Sequence, residues 1–142
     1  DEKIRSTAVG YIEKHSMEPA TWRWTVIGHS HPQISKGVEL QPGELGVVSF
    51  FLSQASWYLF TSRRIMGTYS GQNVDAPAPQ VVQDHFGDFK GYGGTDTDIM
   101  ALRLASGSEV RLEYETGRAS MAPIYYLRYW QIKFPILDKL ST

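Results

Sequence analysis

A β-hairpin is encoded most clearly in residues 99–115, which read IMALRLASGSEVRLEYE. Apolar and polar side chains alternate in both halves of this stretch, as they do in a strand with one buried face. Residues 105–108 connect the halves, and Gly107 supplies a position that tolerates positive φ. The stretch therefore predicts two adjacent antiparallel strands. The apolar residues that define them are Met100, Leu102, Leu104, Val110, Leu112 and Tyr114.

After the hairpin the chain changes to a helical period. Ser120 comes shortly before Pro123, a residue that a helix accepts only in its first turn, and Pro135 stops the pattern. We therefore predict a C-terminal helix over residues 120–134, with an apolar stripe that covers the sheet. The stripe consists of Ile124, Tyr126, Leu127 and Trp130.

A second amphipathic helix is predicted near the N-terminus, over residues 3–15. The C-terminal helix carries aromatic side chains on more than one face, including Tyr125 and Tyr129, so one sheet cannot bury all of them. The N-terminal helix is the natural candidate for a second cover.

Several strands are predicted between the N-terminal helix and the hairpin. Residues 22–26 alternate in polarity, 45–52 and 57–69 are apolar runs that predict an antiparallel pair, and 81–89 predict a short strand with a break at Gly87. Two segments rich in turn residues, 32–44 and 71–80, are predicted to be loops.

The order of these elements predicts an α+β fold. Strands and helices do not alternate, which argues against a parallel doubly wound sheet. We expect a strongly bent antiparallel sheet, or a small barrel, capped by the C-terminal helix and extended by the N-terminal one. The 142 residues fit a single domain, 1–142, with an N-terminal extension over 1–40 and a core over 41–142.

Charge and hydropathy exclude several classes of partner. Fourteen basic and 15 acidic side chains give a formal net charge of −1, whereas duplex nucleic acid or an anionic membrane would need a clustered basic surface. No run of 18 apolar residues is present, so the expected location is the cytoplasm. We therefore expect no nucleic acid partner and no strong membrane binding.

The absence of cysteine removes thiolate metal sites, disulfides and thiol nucleophiles together. His29 and His31 lie two residues apart, with Asp84 and His85 as distant candidates, but a metal site needs three or four converging ligands. We expect neither a metal nor another cofactor.

Catalytic patterns are equally weak. Acidic residues between positions 84 and 115 could supply a carboxylate pair, although Glu113 and Glu115 are predicted to mark the solvent face of the hairpin. The glycines at 91, 93 and 94 lack the setting of a phosphate-binding loop, and no Gly-x-Ser-x-Gly is present. No catalytic residue is assigned.

Residues 42–44, Pro-Gly-Glu, followed by an apolar strand and by residues 58–65, Tyr-Leu-Phe-Thr-Ser-Arg-Arg-Ile, resemble the pattern of bacterial pleckstrin-homology-like (PH-like) domains. The hairpin and closing helix are similar to the last strands and capping helix of that fold. The resemblance covers roughly residues 41–134, and the segment 71–98 departs from it.

The resemblance implies a non-enzymatic binding or interaction module, whose partner would be a protein, a peptide or a second copy of the chain. A small hydrolase- or isomerase-like enzyme, using Asp or His in a cavity between sheet and helix, is the alternative. The candidate binding residues are the basic pair and three aromatics of the C-terminal helix: Arg63, Arg64, Tyr125, Tyr129 and Trp130.

Overall fold

The computed structural model describes residues 1–16, 19–28, 30–35 and 37–133, which form three α-helices and eight β-strands. The helices are α1 (Glu2–Lys14), α2 (Pro32–Ser35) and α3 (Met121–Lys133). The strands are β1 (Thr25–Ile27), β2 (Gly46–Ser53), β3 (Ser56–Thr61), β4 (Arg64–Tyr69), β5 (Gln72–Pro77), β6 (Val81–His85), β7 (Thr97–Leu104) and β8 (Glu109–Glu115).

The strands form two antiparallel sheets. One has five strands in the order β1-β2-β3-β4-β5, and the other has three in the order β6-β7-β8. The predicted α+β fold is confirmed, with antiparallel sheets and a helix at each end of the chain. Within the described residues no hydrogen-bonded strand pair joins the two sheets, so the barrel alternative is wrong.

The main core lies between the two sheets and is closed by α3. Its fully buried side chains include Phe50, Phe60, Met100, Leu102 and Leu112. Contacts between β8 and strands β3 and β4 bring the sheets together. Tyr126 attaches α3 to this core, because its hydroxyl donates a hydrogen bond to the carbonyl oxygen of Thr61 at 2.7 Å.

Helix α1 packs on α3 and provides the second cover that the aromatic content of α3 requires. The ring of Tyr11 meets the ring of Tyr125 edge to face, with centroids 5.4 Å apart. The ring of His15 stacks on the ring of Tyr125, with centroids 4.1 Å apart and an interplanar angle of 2°. The predicted role of the N-terminal helix is confirmed.

The hairpin β7–β8 and the pairing of β2 with β3 are confirmed, but the apolar run 57–69 is two strands rather than one. The chain turns at Ser62 and Arg63, where the Thr61 hydroxyl oxygen accepts hydrogen bonds from the backbone N–H groups of Arg63 and Arg64 at 3.1 and 3.0 Å. Arg63 therefore lies in a turn, and Arg64 is the first residue of β4.

The segment 71–80, predicted to be a loop, contains strand β5. Val74 and Ala76 are buried while Asn73 and Asp75 are exposed, which is the alternation of an ordinary strand. Pro77 fits because β5 is the edge strand of its sheet, where a missing backbone donor costs little. The prediction of a loop was wrong here because the turn-forming residues of the segment outweighed this alternation.

Two predictions upstream also need correction. Strand β1 begins only at Thr25, so Trp22 and Trp24 lie just before it and pack half-buried against the core. The segment 32–44 is not all loop: it begins with the single-turn helix α2. Ile34 from this helix packs with Leu59 and Met66 and covers the outer face of the five-stranded sheet.

Tyr58 has a buried hydroxyl with no hydrogen-bond partner among the described residues. Burial raises the pKa of this phenol well above its ordinary value, and the charge of Glu115 raises it further, so the group is neutral. We expect Tyr58→Phe to increase the free energy of unfolding by about 1 kcal/mol, since an unsatisfied buried polar group costs about 1–3 kcal/mol. Urea denaturation followed by circular dichroism measures the change.

Tyr126→Phe is the matched control, because it removes the hydroxyl that bonds to the Thr61 carbonyl. We expect this variant to lose about 1 kcal/mol of stability. Equal destabilisation by both substitutions would contradict the assignment of Tyr58 as an unsatisfied group.

Candidate functional site

A cleft of about 510 Å³ opens between the edge of the three-stranded sheet and α3. Strand β6 and the loop that follows it form one wall, and one face of α3 forms the other. The lining residues are Asp84, His85, Phe86, Gly87, Phe89, Lys90, Met121, Ile124, Tyr125 and Arg128. We refer to this site as the β6–α3 cleft.

Strand β6 is the edge strand of its sheet and pairs only with β7 in the described part of the chain. The α3 residues of the cleft, Met121, Ile124, Tyr125 and Arg128, recur three or four residues apart and so share one helix face. The cleft therefore combines an open strand edge with a mixed apolar and basic helix face.

The aromatic walls of the cleft are held by packing. Tyr125 is fixed by Tyr11 and His15 of the α1 region, as described above. On the other wall, the carbonyl oxygen of Phe89 accepts a hydrogen bond from the Gly117 N–H at 2.7 Å, which ties the loop to the start of the segment leading into α3. The Tyr125 ring and the Phe89 backbone are thus positioned before any ligand arrives.

The loop 86–96 is organised by two aspartates, Asp88 within the loop and Asp98 near the start of β7. The Asp88 side chain accepts hydrogen bonds from the backbone N–H groups of Tyr92 and Gly93 at 3.2 and 2.8 Å, and the Asp98 side chain accepts one from the Asp88 N–H at 2.9 Å. These aspartates therefore act as turn-forming acceptors, and the hypothesis of a catalytic carboxylate pair gains no support from them.

Two cations flank the cleft. The Lys90 ammonium lies 6.0 Å from the ring centroid of Phe89 and 5.7 Å from that of Tyr92, and the Arg128 guanidinium lies 5.9 Å from the centroid of Tyr125. Neither forms an ion pair with a carboxylate of the described residues. Asp84 is the one carboxylate among the lining residues, and it accepts a hydrogen bond from the Gln131 side-chain amide at 3.1 Å.

The residues that carry the family resemblance contact one another at the turn between β3 and β4. Glu44, whose side chain has no exposed surface, accepts two hydrogen bonds from the Arg64 guanidinium at 2.8 and 3.0 Å. It also accepts one from the Thr61 hydroxyl at 2.6 Å and one from the Gln41 N–H at 2.9 Å. All hydrogen-bonding directions of this carboxylate are thereby occupied.

The buried carboxyl of Glu44 remains ionised. Burial alone would raise its pKa, but hydrogen bonds from Arg64, Thr61 and the Gln41 amide, together with the charge of Arg64, lower the pKa below its ordinary value. Asp75 provides a second carboxylate for Arg64, at 2.9 Å. This arrangement is a structural cluster rather than an open binding site.

The predicted basic pair is therefore engaged within the protein. Arg64 is bound by Glu44 and Asp75, and Arg63 donates to Asp1, to Gln41 and to the Pro42 carbonyl. The structure does not bring this pair together with the cations of the β6–α3 cleft.

The three predicted aromatics have different positions. Tyr125 lines the β6–α3 cleft, while Tyr129 and Trp130 are 7% and 5% exposed and belong to the main core. Tyr129 also lines a smaller apolar groove of about 370 Å³ between α1 and α3, together with Lys3, Thr7, Tyr11 and Ile132.

Glu115 was predicted to lie on the solvent face of the hairpin, and this prediction is wrong. It is 8% exposed and accepts hydrogen bonds from the N–H groups of Arg23 and Trp24 and from the Thr25 hydroxyl, at 2.9, 3.0 and 2.7 Å. Glu113 accepts hydrogen bonds from the hydroxyls of Ser56 and Thr97. The N-terminal segment covers this face of β8, which the alternation of the hairpin alone could not reveal.

The histidines do not assemble a metal site in the part of the chain that the structure describes. No group of three or more His, Asp or Glu side chains there could hold a metal ion, and His29 lies outside the described residues. His31 donates from Nε2 to the Trp24 carbonyl at 2.6 Å. No described helix has the length and apolar character needed to cross a membrane.

Comparisons with protein-family models, curated proteins and solved structures found no match to this chain. Its function is therefore inferred from its own residues. Sequence reasoning identified Tyr125 as a candidate binding residue but did not identify the site. The residues it missed, Phe89, Ile124 and Arg128, come together only when β6 is recognised as an edge strand that lies beside α3.

Proposed function

We propose that this protein is a non-enzymatic binding module of PH-like type whose β6–α3 cleft accepts an extended segment of a protein or peptide partner. The observation that carries the proposal is that the cleft borders an edge strand with no partner on its outer side among the described residues. Such an edge offers backbone N–H and C=O groups to an added strand, while neighbouring pockets select its side chains.

The composition of the cleft supports recognition of a polypeptide. Aromatic residues and arginine are enriched in protein interfaces and supply most of the binding energy at their centres. Phe89, Tyr125 and Arg128 provide these side chains, and all three are held on elements that are packed against the core. A pre-organised cleft loses less conformational entropy on binding than a mobile one.

The family resemblance supports the same proposal. Its Pro-Gly-Glu turn and the residues near Arg64 form one hydrogen-bonded cluster, and the hairpin β7–β8 is followed, after a short 3-10 turn, by the closing helix α3. Fold likeness does not fix function, so the resemblance adds to the cleft and does not replace it.

An enzyme would need an acid–base pair in this cleft. Asp84 and His85 both line it, but as neighbours in a strand their side chains leave opposite faces, and Asp84 is bound by Gln131. Since this arrangement lacks a converging pair, we favour binding over the hydrolase- or isomerase-like alternative.

Selection from a phage-displayed library of 12-residue peptides tests the proposal. We expect enriched peptides whose binding shifts the backbone amide NMR signals of residues 81–90 and 121–128. Strand addition to β6 also predicts slower hydrogen exchange of its outward amides. Failure to enrich any peptide, or shifts confined to the groove between α1 and α3, would contradict the proposal.

Phe89→Ala is expected to weaken a selected peptide at least tenfold, because it removes one apolar wall of the cleft. Phe51→Ala is the matched control: Phe51 is also half-buried, but it lies against the outer cluster of the five-stranded sheet. Fluorescence polarisation measures both affinities, after circular dichroism has shown that both variants are folded. Equal losses in the two variants would argue against the cleft.

A further inference from the structure

The β6–α3 cleft has the charge pattern of a site for an acidic ligand. We infer that the bound segment carries a carboxylate side chain next to an apolar or aromatic one, and that Arg128 and Lys90 receive the carboxylate. This inference rests on the proposed function and names the class of peptide that the cleft selects.

The first observation is the local excess of positive charge. The chain as a whole has a formal net charge of −1, yet two permanent cations, Lys90 and Arg128, flank the cleft, where Asp84 is the one lining carboxylate. Asp84 is engaged by Gln131, and the exposed His85 adds a further donor. An acidic segment therefore meets electrostatic attraction at this cleft.

The second observation is a contrast with other arginines of the described chain. Each of five forms an ion pair with a carboxylate, namely Arg5, Arg23, Arg63, Arg64 and Arg111. Arg128 instead lies over the ring of Tyr125, exposed and within reach of the cleft. A guanidinium in this position retains the planar donor fork that binds a carboxylate with two hydrogen bonds.

The third observation is the apolar surface beside these cations. Phe89, Ile124 and Met121 line the same cleft, so a ligand that satisfies Arg128 also places its neighbouring side chain against them. An acidic peptide with an apolar neighbour uses both features. A mobile anionic surface such as a lipid headgroup layer uses only the charge.

The charge content of the selected peptides separates this inference from the proposed function. Peptides that bind the cleft but lack Asp and Glu would overturn the inference and leave the proposed function standing. The absence of any selected peptide would overturn both. We expect the enriched sequences to share at least one acidic residue beside an apolar one.

A double-mutant cycle on a fluorescein-labelled selected peptide then assigns the contact. We expect replacing its acidic residue by the amide to weaken binding about tenfold, and Arg128→Gln to do the same for the acidic peptide. For the amide peptide, Arg128→Gln should change affinity less than twofold, because the partner of the guanidinium is already gone. Arg103→Gln, an exposed arginine on β7 outside the cleft, is the control and should leave both affinities unchanged.

If Arg128→Gln weakened the binding of the acidic and amide peptides equally, the assignment would be overturned. A merely structural role of Arg128 would lower both affinities by the same factor. Vesicles containing 30% phosphatidylserine provide the competing probe in a sedimentation assay. Tight vesicle binding that Arg128→Gln abolishes, together with weak peptide binding, would show that these cations bind anionic lipid rather than an acidic peptide. That result would refute the inference.

Discussion

Arg64→Met is expected to lower the free energy of unfolding by about 3–5 kcal/mol at neutral pH, because removing one partner leaves a buried charge uncompensated. The Glu44 side chain has no exposed surface, and the Arg64 side chain is 16% exposed. Methionine preserves most of the apolar stem of arginine but offers no donor. Equilibrium denaturation in urea at pH 7 measures the loss.

The same pair gives stability a dependence on pH whose sign follows from Glu44. Its pKa is lowered in the folded protein, so the contribution is present above the ordinary carboxyl pKa near 4.5 and is lost as pH falls through the folded value. In Arg64→Met burial remains while the cation is gone, so we expect the pKa of Glu44 to be raised. The difference in free energy of unfolding between the native protein and Arg64→Met should therefore become smaller as the pH falls from 7 to 4.

Arg63→Met is the matched control for Arg64→Met. Arg63 is the adjacent arginine and also binds a carboxylate, but its pair with Asp1 is 36% and 22% exposed. Partly exposed ion pairs contribute about 1 kcal/mol or less, so we expect a correspondingly small loss. Adding Glu44→Gln to Arg64→Met should recover part of the deficit. Equal losses from the two arginine variants would show that the buried cluster has no special role.

Local periodicity made part of this fold predictable. The hairpin β7–β8 is defined by a two-residue alternation and helix α3 by a helical repeat, and both patterns involve near neighbours in sequence. Both elements were predicted within a few residues. Strand β5 escaped prediction because Asn73, Asp75 and Pro77 are turn-forming residues that an edge strand nevertheless accepts. What decides its structure is pairing with β4, which sequence patterns do not report.

The candidate site was less predictable than the fold. The basic pair, Arg63 and Arg64, was predicted to contribute to binding, yet Glu44 and Asp1 neutralise it through contacts that depend on tertiary structure. Arg128 was not predicted as a binding residue, because a lone arginine on an amphipathic helix is ordinary. Its significance comes from the neighbouring edge strand and from the absence of a carboxylate partner among the described residues.

The contact between the two sheets depends on Gly67, at the middle of β4. A Cβ atom at this position would lie 2.5 Å from Leu112 Cδ2, 2.6 Å from the Trp57 carbonyl oxygen and 3.2 Å from the Tyr58 Cα. Two of these three atoms belong to the backbone, so no side-chain rotation relieves the overlap. We therefore expect Gly67→Ala to lower the free energy of unfolding by about 3 kcal/mol, the upper end of typical overpacking costs.

Gly10→Ala is the control for Gly67→Ala, since Gly10 is exposed within α1 and nothing lies within 4 Å of its added Cβ. The free energy of unfolding of that variant should increase by about 0.5–1 kcal/mol because of helix propensity.

A second test adds Leu112→Ala to Gly67→Ala. If side-chain overlap alone were responsible, the double variant would regain stability. Because the Trp57 carbonyl still blocks the Cβ, and Leu112→Ala opens a cavity costing about 2–5 kcal/mol, we expect it to be less stable than Gly67→Ala. A stable Gly67→Ala protein would refute the close packing of Gly67 against the backbone of β3 and the Leu112 side chain of β8.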